Sequence, residues 1–114
     1  MTKKGFTLIE LLVVISIIGI LIAVGSVSYQ KSVKLGRDSR RQTDLEQIRQ
    51  ALETYRSEEG VYAPDLDDLS PDYLTVVPVD PQTGDYSYTR DTVVTYTLCA
   101  PEIELDDTYC VENP

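Results

Sequence analysis

The chain has 114 residues, a formal net charge of -9, two cysteines, no histidine and no tryptophan. That length holds one small domain at most, and an acidic surface repels phosphate, which argues against direct nucleic-acid binding. Without histidine, and with no serine in a nucleophile motif, clustered acids do not make an acid–base catalyst, so an enzyme is not expected.

The first feature along the chain is a short basic leader, Met1-Thr2-Lys3-Lys4-Gly5, followed by an aromatic residue and an apolar run. Phe6 to Val24 is 19 residues with one charge, Glu10. As a helix rising about 1.5 Å per residue, it spans roughly 30 Å, the thickness of bilayer hydrocarbon. Lys3 and Lys4 favour a cytoplasmic N-terminus, but five bases follow the run and oppose that orientation on a simple count. An ordinary secretory signal is one alternative, with Leu11 to Ala23 as its apolar region and Ala23-Val24-Gly25 as a small-residue cleavage site. It leaves Glu10 unexplained. A plain single-pass anchor is the other alternative, and no cysteine lies near enough for a lipoprotein.

The string K-K-G-F-T-L-I-E-L-L-V-V-I-S-I-I-G-I-L closely resembles the N-terminal signature of type IV prepilins and of type II secretion pseudopilins. The resemblance implies cleavage between Gly5 and Phe6 by a prepilin peptidase, N-methylation of Phe6, and an assembly role for Glu10. There is a physical reason for that role. A carboxylate in hydrocarbon costs a few kcal/mol (roughly 3 on insertion scales), so it needs a partner. Cleavage creates one in the Phe6 amine, on the same chain or an adjacent one, and pairing would fix the axial register between subunits. Without the motif, Glu10 reads as a side chain snorkelling to the nearby interface.

Beyond Val24 the chain turns polar without a proline. Many pilins carry a proline about 22 residues into the mature chain; here that position is Val27, so no proline bend is expected, and Gly25 is the softer point. Lys31 to Arg41 holds five bases and one acid. This stretch suits lipid head groups or acidic neighbours; the alternative is a solvated helix face. Leu45, Ile48, Leu52 and Tyr55 follow the 3, 4, 3 spacing of one helical face, and Gly60 supplies the stop. A helix from Phe6 to Glu59 would be about 80 Å long if straight. A small head cannot cover that length, so the apolar half must lie in a bilayer or against copies of itself.

The remainder is acidic, with twelve acids and one base, Arg90, between Val61 and Pro114. Prolines 64, 71, 78 and 81 forbid long regular structure, leaving a loop with short helical turns at Leu66–Leu69 and Pro71–Leu74. Asp80 to Gly84 is a turn signal. Tyr86 and Tyr88 alternate with polar residues, as do Val94, Tyr96 and Leu98, which predicts two strands with Asp91-Thr92 in their connection. Tyr109 to Val111 adds a short third. Residues 44–62 and the D-L-x-x-L-x-x-x-Y-L-x-x-V-P-x-D-P stretch at 65–81 also resemble small pilins and major pseudopilins. The expected fold is α+β: a long N-terminal helix packed on a small antiparallel sheet. Its expected parts are a leader at 1–5, an apolar assembly helix at 6–25, an amphipathic helix at 26–59 and a head at 60–114.

Cys99 and Cys110 sit close together in a small acidic region behind an apolar segment, which suggests an oxidising location and one disulfide. Two free thiols in a reducing compartment is the alternative. Many type IV pilins close a C-terminal loop in this way and major pseudopilins usually do not, which tilts the resemblance towards a pilus. Glu102, Glu104, Asp106, Asp107 and Glu112 crowd the same region. Major pseudopilins hold calcium near their C-terminus, but the spacing is not that of an EF-hand, and a solvated acidic rim is the plainer reading; Asp65, Asp67 and Asp68 read likewise. No cofactor is expected.

The function expected is a structural pilin. It would begin as a single-pass cytoplasmic-membrane precursor, meet the prepilin peptidase and the assembly machinery, and end as a homo-oligomeric surface filament for adhesion, motility or DNA uptake. A type II secretion pseudopilin and a non-polymerising anchored binding module are the alternatives.

Overall fold

The computed structural model describes residues 2–100, 104 and 108–113. Its elements are one helix, α1 (Leu8–Glu59), a 3-10 turn (Leu66–Leu69), and three strands, β1 (Ser87–Thr92), β2 (Thr95–Ala100) and β3 (Tyr109–Glu112). The α+β expectation holds. The chain divides into two compact units, Met1–Val33 and Lys34–Pro114.

In the first unit, α1 begins at Leu8 rather than at Phe6. The reason is local: the Thr7 carbonyl accepts the Leu11 N–H at 3.3 Å, and its hydroxyl accepts the Glu10 N–H at 3.3 Å. Thr7 is therefore the N-cap, and the residues before it lie outside the helix. From Leu8 to Ser32 every side chain is exposed. This stretch is long and apolar enough to cross a membrane. Two of its serines are satisfied within the helix. Ser16 donates to the Leu12 carbonyl at 2.7 Å and Ser26 to the Ile22 carbonyl at 2.8 Å, so their hydroxyls fold back on the helix and suit an apolar medium.

In the second unit, the predicted stripe is the core. Leu45, Ile48 and Leu52 are fully buried, joined by Ala51, against Tyr62, Ala63, Leu66, Leu69, Tyr86, Tyr96, Leu98, Ala100 and Val111. Gly60, at φ +79°, ends α1, and its N–H donates to the Arg56 carbonyl at 2.8 Å. Only a glycine takes that left-handed conformation without strain. The chain is then tied down at once, because the Tyr62 N–H donates to the Val93 carbonyl at 2.9 Å.

The sheet is an antiparallel meander in the order β1-β2-β3. Strand β2 alternates as predicted, with Tyr96, Leu98 and Ala100 inward. The β1–β2 connection differs from the expectation. Asp91 and Thr92 belong to β1, and Val93-Val94 makes the turn. The Val94 N–H donates to the Thr92 hydroxyl at 3.3 Å, and the Thr92 and Thr95 hydroxyls meet at 2.7 Å. These threonine contacts close the hairpin where hydropathy alone favoured strand; the pairing register shifts between Arg90 and Thr92 to allow it. The helical turn at Leu66–Leu69 is present. Pro71–Leu74 is an irregular turn in which the Tyr73 and Leu74 N–H groups both donate to the Leu69 carbonyl.

Candidate functional site

Two sets of residues carry chemistry. The first is at the start of α1. Thr7 and Glu10 form a reciprocal capping box: the Glu10 carboxylate accepts the Thr7 N–H at 2.8 Å and the Thr7 hydroxyl at 3.0 Å. The T-x-x-E spacing of Thr7-Leu8-Ile9-Glu10 is the sequence mark of such a box, and a reading centred on Glu10 alone overlooks it. The carboxylate is held by the residue next to Phe6, whose side chain is 85% exposed. The structure thus brings Glu10, Thr7 and Phe6 to one helix end. Gly5 precedes them in the chain and has open space around it.

The second set lies between the lower part of the core stripe and the loop before β1. Arg41 is fully buried. Its guanidinium donates to both oxygens of Asp80 at 2.6 and 3.2 Å, to Asp38 Oδ1 at 2.7 Å and to Gln82 Oε1 at 3.0 Å. Asp80 also accepts the N–H groups of Gln82 and Thr83 at 2.8 and 3.1 Å. The aspartate of the P-V-D-P stretch therefore shapes its own turn while holding the helix. Burial alone would raise the Asp80 carboxyl, but Arg41 and the two N–H groups bring it down to about 2. Arg41 is correspondingly raised, first by its hydrogen bond to Asp80. Beside this knot, Arg37 grips Glu104 with two bonds at 3.0 and 2.8 Å, and the Glu104 N–H donates to Asp38 at 3.0 Å. The Tyr86 hydroxyl donates to Asp44 at 2.8 Å.

Of the readings given to Lys31 to Arg41 (lipid head groups, acidic neighbours or a solvated face), the residues from Arg37 to Arg41 follow the second, with the acids supplied by the same chain. Arg41 and Asp38 are interior, and Arg37 is half-covered by its bond to Glu104. The signal was available, because positions 38, 41, 45, 48, 52 and 55 continue one helical spacing. The charged members hid it from a search for apolar residues.

The disulfide is present. Cys99 and Cys110 face each other across β2 and β3 and are joined by an S–S bond of 2.07 Å. A bridge closing a loop of this size contributes roughly 3 kcal/mol by restricting the unfolded chain. Of the acids proposed for calcium, Glu104 is occupied by Arg37, while Glu102, Asp106 and Asp107 lie outside the described residues. No group of three metal-ligating side chains occurs among the described residues. Asp65 and Asp68 have a specific task in place of a bare solvated rim. Asp65 accepts the Leu66 N–H at 2.7 Å and Asp68 accepts the Asp65 N–H at 3.3 Å, capping the 3-10 turn.

A helix end of this chemistry, ahead of an exposed apolar helix, defines a class of N-terminal segment. A family model described as the prokaryotic N-terminal methylation motif matches residues 1–26. Among curated proteins, type IV major fimbrial protein FimA of Dichelobacter nodosus is 46% identical over 52 residues, which is 46% of this chain and 33% of the relative. A second FimA sequence from the same organism matches equally over 32% of its length. The match thus covers about a third of the curated relatives, and no solved structure matches significantly. The N-terminal region of this chain is thus similar to that of type IV major fimbrial proteins and carries the methylation motif.

Proposed function

We propose that this chain is the structural subunit of a type IV pilus. It is made as a membrane-anchored precursor, cut between Gly5 and Phe6 by a prepilin peptidase, methylated on Phe6 and polymerised into a surface filament by the pilus assembly machinery. The observation that carries the reading is the exposure of the apolar segment. Between Leu8 and Val27 the large apolar side chains are 48–83% exposed. Exposed apolar surface on this scale marks a partner, either bilayer or protein. Before assembly the partner is the cytoplasmic membrane; afterwards it is the same segment of other copies. Adhesion, motility and DNA uptake are the activities such a filament serves, and the FimA relatives are named as fimbrial.

In this reading Glu10 has two successive partners. In the uncut chain it caps its own helix through Thr7. After cleavage the Phe6 amine lies four positions before Glu10, next to Thr7, and the same carboxylate meets that charge on its own or a neighbouring copy. N-terminal sequencing and mass spectrometry of sheared filaments test the processing. Methylated Phe6 is the expected first residue, and an intact Met1 overturns the proposal. Glu10→Ala is expected to abolish filaments; normal filaments would remove the assembly role.

A type II secretion pseudopilin is the second reading. The Cys99–Cys110 bridge favours the pilus, since the resemblance assigns a closed C-terminal loop to many pilins and not usually to major pseudopilins. Electron microscopy separates the two by filament length. The third reading, an anchored binding module that does not polymerise, predicts a chain of unchanged size in cells lacking the peptidase.

A further inference from the structure

The bases that follow the apolar segment fall into two groups. Arg37 holds Glu104, Arg41 holds Asp38 and Asp80, and Arg40 reaches Asp44 at 3.8 Å. Lys31 and Lys34 are exposed and form no ion pair among the described residues. The sequence of α1 leaves them little choice. No acid occurs between Glu10 and Asp38. Asp38, one turn beyond Lys34, is buried and already accepts from Arg41 and from the Glu104 N–H. The two ammonium groups therefore draw their counter-charge from outside the chain.

Their position says what supplies it. The stretch from Leu8 to Val27 is 20 residues with Glu10 as its one charge, and its large apolar side chains are exposed. At about 1.5 Å per residue it matches the roughly 30 Å of bilayer hydrocarbon. Beyond the hydrocarbon lies a head-group layer of about 5–7 Å on each side. Tyr29, two positions past Val27, is 71% exposed, and tyrosine favours that boundary because its ring is apolar and its tip polar. Lys31 follows about 6 Å past Val27 along the helix, inside the layer. Lys34 follows at about 10 Å, and a lysine stem bends back while its ammonium stays among polar groups.

An aromatic ring followed by unpaired lysines at the depth of lipid phosphates is a surface for anionic lipid. We propose that Lys31 and Lys34 bind the phosphates of anionic phospholipid in the leaflet that α1 leaves beyond Val27, and that the three arginines do not. The inference rests on the membrane-anchored precursor of the proposed function and adds which lipid that precursor gathers. The attraction fades within a Debye length, so it acts fully on lysines that their own span holds at the surface.

The test uses the full-length chain in phosphatidylcholine bilayers with a spin-labelled tracer, either phosphatidylglycerol or phosphatidylcholine. Electron spin resonance measures how much of each tracer is slowed against the protein. Every sample carries Lys3→Gln and Lys4→Gln, which removes the bases at the other end of the span. Phosphatidylglycerol is expected to be favoured about threefold or more. Lys31→Gln with Lys34→Gln is expected to remove that preference, and Lys31→Arg with Lys34→Arg to keep it. Circular dichroism checks that each variant retains its helix content. Sodium phosphate is expected to weaken the preference no more than sodium chloride of equal ionic strength; a larger loss means that the lysines take free phosphate, and it overturns the proposal. If neither tracer is slowed, the chain does not enter the bilayer, and the membrane reading falls with this contact. If the tracers are slowed without preference, the lipid contact alone is overturned. The same holds if the glutamine variant keeps the preference, whether or not it loses cross-linking between copies.

Discussion

The two halves of α1 obey one backbone rule and two different solvents. From residue 34 onward, the helix buries a stripe whose members all have partners in the same chain: Leu45, Ile48 and Leu52 in the core, and Arg41 and Asp44 in hydrogen bonds. Before residue 33, every apolar side chain faces outward and finds nothing of its own chain to meet. The lesson is that helical periodicity reports burial only where the chain supplies the cover. In the first half the apolar residues run all round, which is what a bilayer or a ring of like helices requires. In the second half the stripe is one-sided, which is what a small sheet requires.

The largest expected break of that comparison is at the partly charged end of the stripe. Arg41→Ala removes the guanidinium that bonds both Asp38 and Asp80 and leaves the buried Asp80 carboxylate without its cation. It is expected to cost about 3–5 kcal/mol, read from denaturant unfolding of the head. A loss below about 1 kcal/mol would mean that water reaches the knot and that it belongs to the surface. Replacing Cys99 and Cys110 together with alanine is expected to cost roughly 3 kcal/mol by the same measurement; the apolar half should keep its helicity in detergent, because the bridge lies wholly within the head.

Acid should separate the halves next. The folded Asp80 carboxyl is depressed to about 2 from an ordinary 3.8. The stability it contributes is therefore complete above about pH 5 and is lost as the pH falls towards 2, amounting to roughly 2 kcal/mol. Thermal melts of the wild type between pH 5 and pH 2 should show this decline, and Asp80→Asn should flatten it. The smallest effect is at the other end of α1. Thr7→Ala removes the N-cap and is expected to cost about 1 kcal/mol locally, seen as faster amide exchange in the first turn in micelles. Unchanged exchange would mean that the medium, and not the capping box, holds that turn.

Much of this was legible beforehand, and the reasons differ by element. The apolar run needed only composition, and the 45, 48, 52, 55 stripe needed only spacing, because both are written in residue type. The cysteine pair was legible as an export signature in composition, although only the facing register of β2 and β3 shows how it closes. Arg41 was not legible as an interior residue, because its cover comes from Asp80, 39 positions away. No local window contains both. The hairpin ends were misplaced for the opposite reason. Val94 read as strand by its alternation with Tyr96 and Leu98, but hydroxyl contacts at Thr92 and Thr95 decide where the chain reverses. The capping box was fully local and was passed over because Glu10 already had an explanation.

The sulfur bridge has a consequence for durability. A protease that severs any single peptide bond between Cys99 and Cys110 would still leave one covalent molecule, with β3 tethered to β2 through sulfur. The head could thus be nicked at that stretch without shedding its last strand.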